Sequence, residues 1–365
     1  MNKPSEPTIR RPGHSTSRRR FLKYGAMGAL GLVATRARLD ALADGFSPES
    51  TCLPSAAAAA SKSRVVLVRH PAVVDAAGKV QAPLLQSIVD KAITAFSGES
   101  TVADAWRKYF SPEDVVGLKI NALGLQEIRG TDYIGHFAAV NAALAAGLRT
   151  AGVKDGNIVV WDRSEEELES AGLAIQKDPG RMRVIATKGG RLSAGDYAPT
   201  TYPVGSSSSR VSAILAEVCT TFINVPVPKT HGKSLFTCAL KNHYGSIDNP
   251  WDFHADGCSN PGIAEVNAIP IIRKREKLVV SDALLIVPED GPRWRRSFIR
   301  PFGGVIVGTD PVAVDAVALK VIDDARAAEG LERLAPRVKH LPLAEALGLG
   351  NSRLENIDLV SISLS

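Results

Sequence analysis

The chain has 365 residues, with 44 lysines and arginines against 38 acidic residues, a formal net charge of +6. Nine of the basic residues but only two of the acidic ones fall in residues 1–43, so the remainder holds 35 basic and 36 acidic residues, a net charge of −1. This near-neutral remainder argues against nucleic-acid binding, which needs a basic face that displaces counterions from phosphates.

Residues 1–43 have the features of a twin-arginine signal peptide. The motif Ser17-Arg18-Arg19-Arg20-Phe21-Leu22-Lys23 is followed by an apolar, glycine-rich run over Tyr24–Thr35, and Ala41-Leu42-Ala43 offers a cleavage site before Asp44. The apolar run is too short to span a membrane. We therefore expect export of the folded protein to the periplasm by the twin-arginine machinery, and a mature form with no stable membrane span.

After a linker predicted over residues 44–63, short β-branched runs alternate with helical patterns. The predicted strands are Val65–Val68, Val115–Ile120, Ile158–Trp161, Val184–Ala186, Phe222–Val227, Leu278–Val280, Val305–Val307 and Ile357–Ile362. The predicted helices are Pro83–Phe96, Phe137–Ala151, Val211–Val218, Pro311–Ala328 and Leu343–Leu347. This alternation predicts an α/β domain over residues 64–365, as one unit or two closely packed lobes, with a largely parallel or mixed sheet covered by helices.

Lysines, histidines and aspartates are concentrated in residues 227–258, directly after the predicted strand Phe222–Val227. Open α/β sheets bind ligands at the carboxyl ends of their strands, so this segment is the first candidate for a site. In one interpretation Lys229, Lys233 and Lys241, together with Lys119 at the end of another predicted strand, donate hydrogen bonds to a carboxylate or phosphate.

Two other interpretations of the same segment stay open. It contains nitrogen, oxygen and sulfur ligands that suit a transition metal, although no recognised ligand spacing is present: His231, His254, Asp252, Asp256 and Cys258. Alternatively, the segment is a polar surface loop, with Lys241 and His243 exposed on a helix and the aspartates in turns.

Three further features call for partners or ligands. Asp282 follows a predicted strand and is either a general base, a metal-facing carboxylate or a turn residue. Asp315 lies on the apolar face of a predicted helix, where a buried charge needs a partner such as a lysine of the cluster. The basic segment Gly291–Arg296 is either a mobile flap over an anionic ligand or a solvated loop.

Five motifs together resemble the domain-of-unknown-function family 362. They are Gly117-Leu118-Lys119-Ile120-Asn121, Pro228-Lys229-Thr230-His231, Ala239-Leu240-Lys241-Asn242, Asp282-Ala283 with Gly291-Pro292, and Gly308-Thr309-Asp310-Pro311-Val312-Ala313-Val314-Asp315. The resemblance covers about Val65–Ile322. It implies an α/β domain that many relatives join to a ferredoxin-like iron–sulfur module, hence a redox or metallocofactor setting and a redox partner protein. This chain has no cysteine run of that type, so we expect no iron–sulfur cluster in it.

The residues that match these motifs give the expected site. We expect Lys119, Asn121, Lys229 and Asn242 to bind the substrate. We expect His231 to act as acid or base together with Lys241, while Asp282 and Asp315 orient the basic groups or bind a metal. The predicted function is that of an enzyme or metallocofactor-associated protein acting on a small anionic molecule in a redox setting. The alternative is a periplasmic binding or maturation protein that captures an anionic ligand or metal without catalysis.

Overall fold

The computed structural model describes residues 62–188 and 196–365. The predicted signal peptide, and the predicted linker up to residue 61, lie outside these residues. The strands are β1 (Ser63–Arg69), β2 (Val116–Lys119), β3 (Ile158–Ser164), β4 (Arg183–Lys188), β5 (Tyr197–Val204), β6 (Ser207–Ser212), β7 (Thr221–Asn224), β8 (Lys229–His231), β9 (Leu235–Thr237), β10 (Glu276–Ile286), β11 (Arg300–Gly308) and β12 (Ile357–Ser363). The α-helices are α1 (Ala82–Ser97), α2 (Val102–Arg107), α3 (Gly135–Thr150), α4 (Glu165–Ser170), α5 (Ala239–Asn242), α6 (Ile263–Asn267), α7 (Pro270–Arg275), α8 (Pro311–Ala328) and α9 (His340–Ala346).

Eight strands form the central sheet, in the order β12-β1-β11-β10-β7-β2-β3-β4. Neighbouring strands run parallel except at β11, which is antiparallel to both β1 and β10. Two hairpins, β5-β6 and β8-β9, lie outside this sheet. The predicted α/β class with a largely parallel or mixed sheet is therefore confirmed.

Both faces of the central sheet are buried, as the unbroken apolar runs predict. Along β1, Val66 and Val68 belong to one apolar cluster and Val65 and Leu67 to the other, because successive side chains in a strand point to opposite faces. The first cluster takes residues from α1, α2 and α3, and the second from α5, α6, α8 and α9. The carboxyl ends of the parallel strands are thereby held between two helical layers.

Asp310 caps the start of α8. Oδ1 of Asp310 accepts hydrogen bonds from the backbone N–H groups of Val312 (2.9 Å) and Ala313 (3.0 Å), and Pro311 occupies the first helical turn. The second carboxylate oxygen accepts from the Ser63 hydroxyl at 2.5 Å and the Asn351 N–H at 2.8 Å. Asp310 thus joins α8 to the beginning of β1 and to the approach to β12.

Several elements differ in extent from their predictions; β11, for example, is much longer than the predicted Val305–Val307. The helix predicted over Val211–Val218 is shorter, because residues up to Ser212 pair with β5 as strand β6 and only Ile214–Val218 forms a helical turn. Strand β10 is longer than predicted, since β7 and β11 pair with it on either side. Within the described residues, no helix combines the length and apolar character needed to cross a membrane.

Candidate functional site

A cavity of about 620 Å³ opens beside the carboxyl ends of β2 and β3 and the hairpin β8-β9. Its wall carries polar side chains from five separate segments, among them Asn121, Asp162, Lys229, His231, Lys241 and His254. Its volume is within the range typical of small-molecule sites, about 300–1,000 Å³. Asn121, which follows β2, and Lys229, His231 and Lys241, which follow β7, therefore line the same cavity, as their positions at strand ends predict.

Lys119 supports this cavity from behind. Its ammonium is fully buried and donates to Asp162 Oδ1 at 2.6 Å, to the Ile120 carbonyl at 2.7 Å and to Asn242 Oδ1 at 3.1 Å. A Lys ammonium has three N–H groups, so all of its donors are used inside the protein. Lys119 and Asn242, both expected to bind substrate, lie outside the cavity wall and organise the residues that form it.

A chain of amides connects this buried ion pair to the cavity. Asn242 Nδ2 donates to the Lys119 carbonyl at 3.0 Å and to Asn224 Oδ1 at 2.8 Å, while its Oδ1 accepts from Asn121 Nδ2 at 3.2 Å. These bonds fix the orientation of the Asn121 amide. Its carbonyl oxygen is therefore turned toward Lys229, whose Nζ donates to it at 2.6 Å.

Lys229 is a buried cation in the cavity wall. Its side chain is 1% exposed, and its Nζ lies 5.4 Å from the centre of the Trp294 ring. Within the described parts of the chain it forms no ion pair with a carboxylate. Burial lowers the pKa of the Lys229 ammonium to about 7, and the charges of Asp162 and Glu167 only partly oppose this. Near neutral pH, Lys229 can therefore both accept and release a proton.

Lys241 is the second buried cation. Its Nζ lies 3.6 Å from the centre of the Tyr244 ring and donates to His254 Nε2 at 3.3 Å. Burial lowers the pKa of Lys241 to about 8. Like Lys229, it has no carboxylate ion-pair partner among residues 62–188 and 196–365.

Backbone hydrogen bonds keep His231 neutral. The N–H groups of Lys233 (3.0 Å) and Ser234 (3.3 Å) both donate to Nδ1, so Nδ1 carries no proton and the proton lies on Nε2. Burial, together with the charge of Lys241, lowers the pKa of His231 to about 3. We expected His231 to act as acid or base, but near neutral pH this geometry makes it a hydrogen-bond donor to a ligand through Nε2–H.

His254 adopts the other tautomer, with its proton on Nδ1. Its Nδ1 donates to the Pro250 carbonyl at 2.8 Å, which leaves Nε2 to accept from Lys241. Burial lowers the pKa of His254, with the Lys241 charge acting in the same direction. The cavity therefore combines two unpaired lysines with two histidines that are neutral near neutral pH.

Asp315 holds the segment that carries Lys241. The carboxylate is fully buried and accepts hydrogen bonds from the N–H groups of Ala239 (2.5 Å) and Leu240 (3.1 Å), the first residues of α5. Burial raises the pKa of Asp315 to about 7, although the two backbone bonds act against this. The lysine partner expected for Asp315 is replaced by backbone amides, so it positions the site from outside the cavity.

Asp282 also lies outside the cavity wall. Its Oδ2 is 2.5 Å from Nδ1 of His136 on α3, and its Oδ1 accepts from the Leu284 N–H at 3.1 Å. Both side chains of the Asp282–His136 pair are buried. The sequence gives no local signal for this contact, because 146 positions separate the two residues.

Of the five candidate metal ligands, His231 and His254 line the same cavity, but the other three do not join them there. Asp256 is exposed and pairs with Lys339 at 2.6 Å, Asp252 accepts from Asn249 Nδ2 at 2.8 Å, and Cys258 is buried without a disulfide. Within residues 62–188 and 196–365, no group of three or more His, Cys, Asp or Glu side chains is arranged to hold a metal ion. The described residues therefore do not fit the metal or iron–sulfur group that the family resemblance implies.

The surface-loop interpretation is also wrong for the residues that define it. Lys241 is 6% exposed and His243 is fully buried. Nε2 of His243 lies 2.8 Å from Glu276 Oε2, and its Nδ1 lies 3.2 Å from the Ser246 hydroxyl. The segment that follows β9 is thus part of the interior.

The segment Gly291–Arg296 was predicted to be a mobile flap or a solvated loop. It packs against the protein through Trp294. Trp294 is fully buried, and its backbone N–H donates to the Gly124 carbonyl at 2.9 Å. Gly124 has a φ of +87°, and a Cβ there would lie 2.7 Å from the Pro292 carbonyl oxygen. This close contact brings Pro292 and Arg293 into the cavity wall. The sequence analysis also missed Tyr244 and Trp251, for which it contains no spacing signal.

Comparison with known proteins gives a family match but no curated relative. A family described as domain of unknown function (DUF362) matches residues 116–320. No curated protein matches the chain. A crystal structure of a Thermotoga maritima protein shares 11% identity with a TM-score of 0.40, and the match covers 74% of this chain and 60% of that one. The chain thus spans about 60% of the length of that solved relative.

Proposed function

The chain belongs to the DUF362 family of domains of unknown function, and we propose that it binds a small organic anion, a carboxylate or a phosphate ester, in the cavity described above. The observation that carries the proposal is the pair of buried ammonium groups on Lys229 and Lys241. Each lies in the cavity wall and lacks a carboxylate partner among the described residues.

Burying an unpaired charge destabilises a folded protein, so such groups usually serve a ligand. Lys119 provides the internal comparison, because it is equally buried but has Asp162 as its ion partner at 2.6 Å. A bound anion would supply Lys229 and Lys241 with the charge that Asp162 supplies to Lys119. Binding would also raise the pKa of both lysines, since a nearby negative charge favours the protonated form.

Other polar groups of the wall suit the same ligand, and the two carboxylates there, Asp162 and Glu167, are already paired with Lys119 and Arg163. His231 offers a neutral Nε2–H donor, and the exposed cations Lys233 and Arg293 lie at the rim, where they favour the approach of an anion. A redox partner protein is supported by the family resemblance, and anion binding does not require one.

The proposed location of this activity is the periplasm. The support is the leader sequence, which lies outside the described residues. Replacing Arg18 and Arg19 by lysine should keep the protein in the cytoplasm, as measured by cell fractionation. A periplasmic fraction equal to that of the wild type would refute the export proposal.

The binding proposal is tested with oxalate and its neutral isostere oxamide. We expect calorimetry on the purified protein to show one oxalate site and at least tenfold weaker binding of oxamide, because only oxalate neutralises the two lysines. Mass spectrometry of the protein from its own host would identify any anion retained during purification. Equal affinity for both compounds, or no binding of oxalate, would refute the proposal.

A second candidate function is acid–base catalysis on the bound anion, favoured by the pKa of about 7 for Lys229. In this case Lys241 alone contacts the anionic group, so Lys229 stays available in its neutral form near pH 7 and takes a proton from a carbon next to a carbonyl group. The electron pair left behind would pass to the carbonyl oxygen, which accepts a hydrogen bond from His231 Nε2–H. Deuterium exchange into the methyl group of pyruvate, followed by NMR, should depend on Lys229. Binding of pyruvate without such exchange would refute the catalytic role and support a binding protein.

A further inference from the structure

The mouth of the cavity differs in character from its floor. Trp251 is 76% exposed and Leu123 is 38% exposed, and both line the cavity. They come from separate loops, after β2 and after α5. Lys229 and Lys241, by contrast, are almost completely buried. A ligand that entered this cavity would meet apolar side chains outside and ammonium groups inside.

Trp251 is the outer member of a series of stacked rings. Its ring centre lies 5.2 Å from that of His254 with an interplanar angle of 30°, and the His254 ring lies 6.1 Å from that of His231 with the same angle. His254 is also the group that receives a hydrogen bond from Lys241. One histidine ring therefore separates the exposed indole from the buried ammonium.

The exposure of Trp251 has no structural explanation in the described residues. Tryptophan is mostly buried in folded proteins, and Trp106, Trp161 and Trp294 are each 0% exposed. A large exposed aromatic at the rim of a concave site is typical of a surface that stacks on a ligand.

We propose that the bound anion has a flat aromatic or conjugated body, which stacks on Trp251 while its negatively charged end contacts Lys229 and Lys241. This inference rests on the proposed binding function and specifies its ligand class. One face of the indole packs on His254, which leaves the other face for a ligand. The apolar side chain of Leu123 adds a second surface against which such a body can pack.

The test compares benzoate with cyclohexanecarboxylate, two monocarboxylates of similar size that differ in aromaticity. We expect calorimetry to give benzoate about three- to tenfold higher affinity in the wild type, the range that aromatic pairing contributes. Trp251→Ala should remove this preference, and Trp251→Phe should retain most of it. Oxalate, which has no ring, should lose less affinity in Trp251→Ala than benzoate does.

The outcomes separate this inference from the function on which it rests. If oxalate fails to bind the wild type, the proposed function fails. If oxalate binds but benzoate has no advantage over cyclohexanecarboxylate, or Trp251→Ala keeps the advantage, the inference about the aromatic body is wrong. Unchanged thermal unfolding of Trp251→Ala checks that the variant is folded, as expected for a side chain that is largely exposed.

Discussion

Lys229 should make the protein less stable at neutral and acidic pH, and its replacement by methionine should reveal by how much. Burial lowers the pKa of this ammonium from 10.5 to about 7. A change of this size corresponds to a cost of about 5 kcal/mol in folding free energy. Methionine has a similar length and no charge, so Lys229→Met removes this cost.

The gain in folding stability is reduced because the Asn121 side chain loses its hydrogen-bond donor. The Asn121 carbonyl, which accepts from Lys229 at 2.6 Å, is left without this bond, at a cost of about 1–3 kcal/mol. We therefore expect Lys229→Met to be more stable than the wild type by about 2–4 kcal/mol at about pH 6.

The pH dependence provides the sharper check. Below about pH 7 Lys229 is charged in both the folded and unfolded states, and its full cost is present. Between about pH 7 and pH 10.5 the unfolded state binds more protons, so the wild type gains stability as pH rises. The advantage of the variant should therefore shrink by about 2 kcal/mol between about pH 7 and pH 9.

Urea unfolding at several pH values measures this difference directly. Lys91→Met, which replaces an exposed lysine on α1, is the matched control and should show no such pH-dependent difference. The reasoning is refuted if Lys229→Met is less stable than the wild type at about pH 6, or if its advantage is the same at every pH.

Four further predictions concern groups at the cavity and away from it. Calorimetry should show that His231→Gln keeps oxalate affinity within about threefold while His231→Ala lowers it about tenfold, because the glutamine amide still donates a hydrogen bond; equal losses would contradict the donor role. Urea unfolding of Asp315→Ala at about pH 4, where the carboxyl is protonated and its burial cost is absent, should show a loss of about 3 kcal/mol, because two buried N–H groups of α5 lose their acceptor; a neutral effect would be inconsistent with this cap. The raised pKa of Asp315 also implies that its contribution to stability falls from about pH 4 to pH 7, so Asp315→Asn should flatten the stability curve there. Asp256→Asn should leave the metal content by elemental analysis and the oxalate affinity unchanged, because this exposed residue pairs with Lys339 away from the cavity; a lost metal would restore the metal interpretation.

Much of the fold was accessible from local patterns. The apolar β-branched runs identify the core strands because a strand buried on both faces needs apolar residues on both. Asp310 followed by Pro311 fixes the start of α8, since capping depends on neighbouring residues alone. The strand β6 was missed because its pairing with β5, and not its composition, decides the conformation of Val211.

The candidate site was only partly accessible. The position of Lys229, His231 and Lys241 after the predicted strand Phe222–Val227 indicated the carboxyl edge of the sheet, and all three line the cavity there. The protonation state and hydrogen-bonding role of these residues could not be predicted from the sequence. The neutral state of His231 depends on two backbone N–H groups in the following turn, and the role of Asp315 depends on amides 75 and 76 positions away.

The central claim is that buried, unpaired lysines bind an anion in the cavity. The most direct test is calorimetric titration of oxalate into the wild type, Lys241→Met and the control Lys91→Met under the same conditions. We predict one site in the wild type, at least tenfold weaker binding in Lys241→Met, and wild-type affinity in Lys91→Met. The same affinity in all three proteins, or no binding in any, would contradict the claim.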